Sequence, residues 1–252
     1  METTARRLHR PEVGAVPAPI LVETEPLDAR RRFDDLSVLS ETVAQGSQSP
    51  CVVLWRTAQA LSVTRSEARL PAFAEALERL DLAGWPIVVR RGGGSAFPIG
   101  PGTLQVSLLT RKGVPDVDFD RLYDRLAGLV RQGLANLGMP SRVGEIANAF
   151  CRGRYDISVD GRKVAGLSQA WGGKGAVVAE ASILIAADVR GGAEAVNRFH
   201  ALAGSDLRCD PQASASLVQL AGIAAETAVD ALLAAAKPIA EDWAADLALP
   251  NR

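Results

Sequence analysis

The 252-residue chain is short of the residues that usually announce a chemistry. It holds three cysteines (Cys51, Cys151 and Cys209), two histidines (His9 and His200) and four lysines, and aromatics make up only 5%. An odd cysteine count without a CxxC pair excludes a disulfide framework and a cysteine-rich zinc site, so no metal is expected. Reduced thiols point to the cytoplasm. Two histidines, one in an N-terminal arm and one in a helical segment, leave no base for a cysteine-protease reading, because such a base must lie within hydrogen-bond reach of its nucleophile. There is no apolar run of about 18 residues, so no membrane-spanning helix is expected. The N-terminus METTARRLHRPEVG has basic residues but no apolar core, so it is not a secretory signal. A formal net charge of -1 lacks the basic surplus of nucleic-acid binders. The run Arg30-Arg31-Arg32 reads as a solvated face.

What remains reads as a globular chain. Apolar residues make up 48% and charged residues 23%, a mix that buries a core without staples. Residues 1–26 are rich in Pro, Arg and Thr without a period. They read as an arm or an added edge strand, and 27–252 as one domain. Leu36, Leu39 and Val43 predict a short helix over 34–45, and Leu70, Phe73, Leu77 and Leu80 a second over 67–82, ended by Gly84. CVVLWRTA, ALSVTR, WPIVVRR and TLQVSLLTR read as strands. A long helix is expected over 118–138, capped by Asp118. YDISVDGRKVAGLSQAW reads as a hairpin on the turn Asp160-Gly161, and GAVVAEASILIAAD as a strand or strand pair. The remainder is mostly helix, capped at Ser214 or Ser216. The links between central strands are too short for βαβ crossovers. The expected class is therefore α/β (α+β), with a mixed, largely antiparallel sheet flanked by helices, and not a doubly wound dinucleotide fold.

Two segments carry chemistry. RRGGGSAFPIGPGTLQVSL lacks GK[ST] and leads into a strand, so it is neither a Walker loop nor a dinucleotide loop. It is either a plain glycine turn or backbone that can approach a ligand closely and offer N–H groups to an oxyanion. In AFCRGRYDISVDGRKVAGLSQAW, Cys151 precedes Arg152 and Arg154, a positive setting that favours thiolate. Cys51, inside an apolar strand, reads as a small hydrophobe. If the hairpin strand alternates, Lys163 shares a face with Ala165 and Leu167, where an ammonium is costly without a partner. A solvated lysine beside the turn remains the alternative.

Taken together, the two segments resemble the lipoate and biotin protein ligase superfamily over roughly residues 30–235. The arginine and glycine loop is followed by a strand, and YDISVDGRKVAGLSQ is similar to the family's hairpin element, with Lys163 at its lysine. The run Phe150-Cys151-x-Gly153-x-Tyr155-Asp156 is most similar to the members that move an acyl group through a cysteine. The resemblance implies a biotin-ligase-like catalytic domain. It implies Cys151 as nucleophile, with Lys163 beside the acyl carbonyl, and Arg90, Gly92, Gly93, Gly94, Tyr155, Asp156, Gly166 and Gln169 as substrate-binding residues. The glycines would line an acyl tunnel, and Arg90 and Arg91 would hold an acidic carrier.

The implied activity is transfer of an octanoyl or lipoyl group through a cysteine thioester to a lysine of a lipoyl carrier domain. No cofactor is required, and an acyl carrier protein is one source of the acyl group. An ATP-dependent lipoate ligase is the alternative. Against it stand the missing histidine in Ala96–Gly100 and a chain that ends after its last expected helix, without room for the extra domain of many ligases. A carrier-binding protein without catalysis is the third reading, because fold does not fix activity.

Overall fold

The computed structural model describes residues 20–114 and 117–248. In chain order the elements are β1 (Ile20–Leu27), α1 (Ala29–Ala44), β2 (Cys51–Thr57), β3 (Ala60–Thr64), α2 (Phe73–Leu82), β4 (Ile87–Arg90), β5 (Phe97–Ile99), β6 (Thr103–Arg111), α3 (Phe119–Asn136), β7 (Arg142–Val143), β8 (Ile157–Val159), β9 (Arg162–Trp171), β10 (Ala176–Leu184), α4 (Val189–Ala203), α5 (Leu217–Ala221) and α6 (Ala225–Ala248). Seven strands form a large sheet in the order β1-β2-β6-β10-β9-β8-β7, and three form a small one in the order β4-β3-β5. Among the strand pairs of the described residues, β1–β2 and β3–β4 are parallel and the others antiparallel. The sheet is thus mixed and mostly antiparallel, as the short links require.

Alternation along the strands divides the core. On β10, Val177, Ala179, Ala181 and Ile183 join Leu104, Val106 and Leu108 of β6 under α3 and α6. The opposite face of the large sheet packs Val53, Trp55 and Leu109 against Leu36, Leu39 and Val43 of α1. The small sheet has its own cluster with α2 and α4, through Leu61, Val63, Leu80, Val196 and Phe199. Each cluster removes a continuous apolar surface from water, the main favourable term in folding.

Several boundaries differ from those read in the sequence, each for a local reason. The first helix starts five residues early, because Asp28 accepts a hydrogen bond from the Arg31 N–H and caps it. This places Arg30-Arg31-Arg32 in the first helical turn. Arg30 and Arg31 are exposed as expected, but Arg32 is buried, bonded to the Glu25 carbonyl and paired with the Glu23 carboxylate at 3.5 Å. The helix expected over 67–82 is split into a 3₁₀ turn at Glu67–Arg69 and α2, because Pro71 cannot continue the hydrogen-bond ladder. The glycine loop contains an additional strand, β5. Residues 20–26 belong to β1, the edge strand that pairs with β2; residues 1–19 lie outside the described residues. Asp118 and Ser216 do cap their helices. Among the described residues no helix is long and apolar enough to cross a membrane.

Candidate active site

The loop from β7 to β8 carries Cys151 to the end of β4 and the glycine run that follows it. Cys151 adopts a left-handed backbone, φ +48°, a conformation that costs a non-glycine residue about 1–3 kcal/mol and tends to persist at functional sites. The half-buried thiol is the one cysteine whose sulfur meets donors: the Ser95 N–H at 3.3 Å and Arg90 Nη2 at 3.5 Å. Donors of this kind favour negative charge at the atom they face. Cys51 and Cys209 are buried elsewhere, and burial pushes their thiols up to about 12 and about 11.

Arg90 organises the loop. Its Nη1 donates to the Ser62 carbonyl at 2.7 Å, and its Nη2 to the carbonyls of Gly93 at 2.9 Å and Ser95 at 2.6 Å. It is 7% exposed, so it is not on the surface to hold a carrier domain; burial in the site replaces that expected role. Arg91 is exposed and bonds Ser37 on α1. A second tether holds the same loop: the Glu67 carboxylate accepts from the Ala96 N–H at 2.8 Å, next to the Ser95 N–H that faces the sulfur. Gly94 packs directly on the thiol; a Cβ there would lie 2.6 Å from Sγ, and its φ is +96°.

Lys163 is fully buried, but not on the face expected from simple alternation. A bulge where β8 meets β9 breaks the phase, so Ala165 and Leu167 enter the main core while Lys163 turns to the side of Gly166, Phe97 and Phe150. Its ammonium is bonded to groups other than the sulfur. Nζ donates to the carbonyls of Phe150 at 3.0 Å and Cys151 at 2.6 Å and pairs with Asp156 at 2.8 Å. An ammonium has three N–H donors, and these three contacts use them. Lys163 therefore fixes the left-handed turn that presents Cys151, while Arg90 and the Ser95 N–H occupy the place beside the sulfur. Burial pushes the Asp156 carboxyl up, and Lys163 and the Gly153 N–H pull it back. Asp156 is thus part of the frame rather than a substrate contact. A Cβ at Gly166 would stand 3.0 Å from Nζ, which explains the glycine at that register.

The other expected positions lie around this centre. Gly92 lines a cavity of about 210 Å³ that runs from Arg90 between α1 and the large sheet. That exceeds the roughly 150 Å³ of an apolar cavity that takes benzene. Gly93 contributes its carbonyl to Arg90. Tyr155 stacks on Tyr123 with centroids 4.1 Å apart, and its hydroxyl donates to Asp120. Gln169 donates to the Phe119 carbonyl and accepts from the Trp171 indole N–H. Tyr155 and Gln169 thus build an aromatic platform at the start of α3, outside the cavity.

Sequence reading missed Ser95, Glu67, Ser107 and Glu180. Glu180 had a signal: it is the single acid in the apolar strand AVVAEASIL. Glu67 had the local Thr64-x-x-Glu67 capping pattern, but nothing nearby in sequence pointed to its bond with Ala96, 29 residues away. Among the described residues no cluster of His, Cys, Asp or Glu is suited to a metal ion.

Comparison with known proteins adds an independent observation. Residues 33–235 match the lipoyl protein ligase A/B catalytic domain family. An octanoyl-GcvH:protein N-octanoyltransferase of Anoxybacillus flavithermus is 34% identical over 56% of this chain and 51% of its own length. Its namesake in Geobacillus kaustophilus is 28% identical over 82% of this chain and 75% of its own. The chain thus spans about half the length of the first relative and three quarters of the second. A lipoate protein ligase structure from T. acidophilum with bound lipoic acid superposes with a TM-score of 0.65, covering 93% of this chain and 87% of that one at 18% identity, which establishes the shared fold.

Proposed function

We propose that this chain, which belongs to the lipoyl protein ligase A/B catalytic domain family, transfers a medium-chain acyl group between carrier proteins through a thioester on Cys151. The observation that carries this reading is the sulfur itself: Cys151 Sγ, on a left-handed turn, faces the Ser95 N–H and Arg90, and Arg90 also lines the cavity. Relatives named for octanoyl transfer from GcvH support the acyl class and a lipoyl carrier as partner.

The steps balance without an energy source. Sγ attacks the carrier-bound acyl carbonyl, a C–S bond forms, and the bond to the donor breaks as the leaving group takes a proton. The amine of a lysine on the second carrier then attacks the thioester. The C–N bond forms, the C–S bond breaks, and the amine's proton returns to the sulfur. Between two lysine carriers one amide is exchanged for another, and from a thioester donor the overall step runs downhill to an amide, so ATP is not needed. A covalent intermediate divides one difficult transfer into two easier ones.

Arg90 and the Ser95 N–H supply fixed donors beside the reacting centre; removing one such donor typically costs about 10²–10³ in rate. Lys163 and Asp156 hold the turn that carries the nucleophile. The cavity beside Arg90 receives the chain, with Gly92 in its wall. The test is transfer of octanoyl from an octanoylated carrier to a lysine-bearing apo-carrier without ATP. Wild type completes it and Cys151→Ser does not. Transfer by Cys151→Ser, or transfer only with ATP, overturns the reading in favour of an adenylate ligase.

A further inference from the structure

The cavity contains a carboxyl group that a plain alkyl chain does not need. Alternation along β10 sends Val178 and Glu180 into the cavity, while Val177, Ala179 and Ala181 enter the main core. Glu180 stands opposite Ser107 on β6 and Ser168 on β9, so the middle of the cavity wall is polar. Ser107 fixes the carboxyl: its hydroxyl donates to Glu180 Oε2 at 3.2 Å and accepts from the Trp55 indole N–H at 2.8 Å. Among the described residues no protein donor is found on the other oxygen, Oε1. Arg90, the cation whose charge acts on Glu180, spends its guanidinium on Ser62, Gly93, Ser95 and the Cys151 sulfur.

An open acceptor of this kind is costly to cover with hydrocarbon and favourable to cover with a donor. Its position along the chain follows from the strand register. Glu180 is level with Ser168, which packs against Gly92. One step of two residues farther, about 7 Å along the strands, Leu109, Ala170 and Val178 make the wall apolar. The methyl end of an acyl chain belongs there.

We infer that the acyl group taken by this cavity carries a hydrogen-bond donor, a hydroxyl being the simplest, on a carbon short of its methyl end, received by Glu180. The inference rests on the cysteine-transfer reading and specifies its substrate. Burial pushes the Glu180 carboxyl up to about 6, with Arg90 and Ser107 pulling the other way. Near neutral pH the group is therefore mostly ionised and acts as an acceptor. An unsubstituted octanoyl chain fits the same space but leaves Oε1 without a partner.

The experiment is single-turnover acylation of the full chain by carrier proteins loaded with octanoyl, 3-hydroxyoctanoyl, 5-hydroxyoctanoyl or 8-hydroxyoctanoyl, read by intact mass. At least one inner-hydroxyl chain is expected to load at least about tenfold faster than octanoyl, the effect of a hydrogen bond to a charged group. The 8-hydroxyl chain is expected to show no advantage. In Glu180→Leu the preference collapses, and if that variant does not fold, Glu180→Gln is expected to show it reduced. Octanoyl loading as fast as both inner-hydroxyl chains, or a preference unchanged in the variant, overturns the inference while leaving cysteine transfer standing. Loading of Cys151 by none of the four carriers overturns both.

Discussion

Gly94→Ala tests the packing of the loop against the thiol. A Cβ at Gly94 would lie 2.6 Å from Cys151 Sγ, against 3.4–4 Å for ordinary contact, and the backbone there has φ +96°. Sulfur or loop must therefore move by about 1 Å. The Arg90 contact to the sulfur, already 3.5 Å long, is the first lost. A misplacement of about 1 Å at a reacting centre costs on the order of 10²-fold in rate. The positive φ adds about 1–2 kcal/mol of strain, a fall of a few degrees in Tm for a chain of this size. Gly93→Ala is the control, since nothing lies within 4 Å of its Cβ position and its φ is not positive. Both variants are to be melted and then acylated by octanoyl-carrier well below their melting temperatures. A folded Gly94→Ala that acylates as fast as Gly93→Ala would refute this account of the site.

Three further outcomes follow from the buried charges and thiols. Lys163→Met is expected to lower stability by about 3–5 kcal/mol, because it strands the Asp156 carboxylate in the core; adding Asp156→Asn should recover part of that loss in a denaturant titration. Glu180 is raised from 4.5 to about 6 by burial, so the folded state holds its proton more tightly than the unfolded one. The contribution of this one group to stability is then greatest below about 4.5 and is lost as pH rises through about 6, by about 2 kcal/mol in all at about 1.4 kcal/mol per unit. Glu180→Gln should accordingly be the more stable protein at pH 8, with the gap closing by pH 4.5, against the charges of Arg90, Asp34 and Arg91 that share the cavity. Iodoacetamide should label one thiol rapidly in the native protein, Cys151, because Cys51 and Cys209 are buried with thiols pushed well above neutrality; fast labelling of either buried thiol contradicts the placement.

The sequence was most readable where a signal was local. The turn at Asp160-Gly161 and the caps at Asp118 and Ser216 could all be read within a few residues, whereas the bulge that turns Lys163 away from Ala165 and Leu167 could not, because it depends on the pairing of β8 with β9. The resemblance brought Cys151, Lys163 and the glycine loop together correctly. It did not show which cation meets the sulfur, because that depends on how a loop after β4 lies across a loop before β8, some 60 residues apart. Arg90 was expected to hold an acidic carrier for the same reason: its acceptors come from Ser62, Gly93, Ser95 and Cys151, and only the fold assembles them. Glu180 was visible as an acid in an apolar strand, yet its role depends on Ser107 across the sheet.

The central claim is that Cys151 carries the acyl group. The most direct measurement is acid-quenched intact-mass and peptide analysis of the chain after mixing with octanoylated carrier in the absence of ATP. The account predicts one octanoyl group per chain, on the peptide containing Cys151, labile to hydroxylamine and discharged by an apo-carrier. Turnover without any acylated Cys151, or acyl transfer only when ATP is supplied, would contradict it.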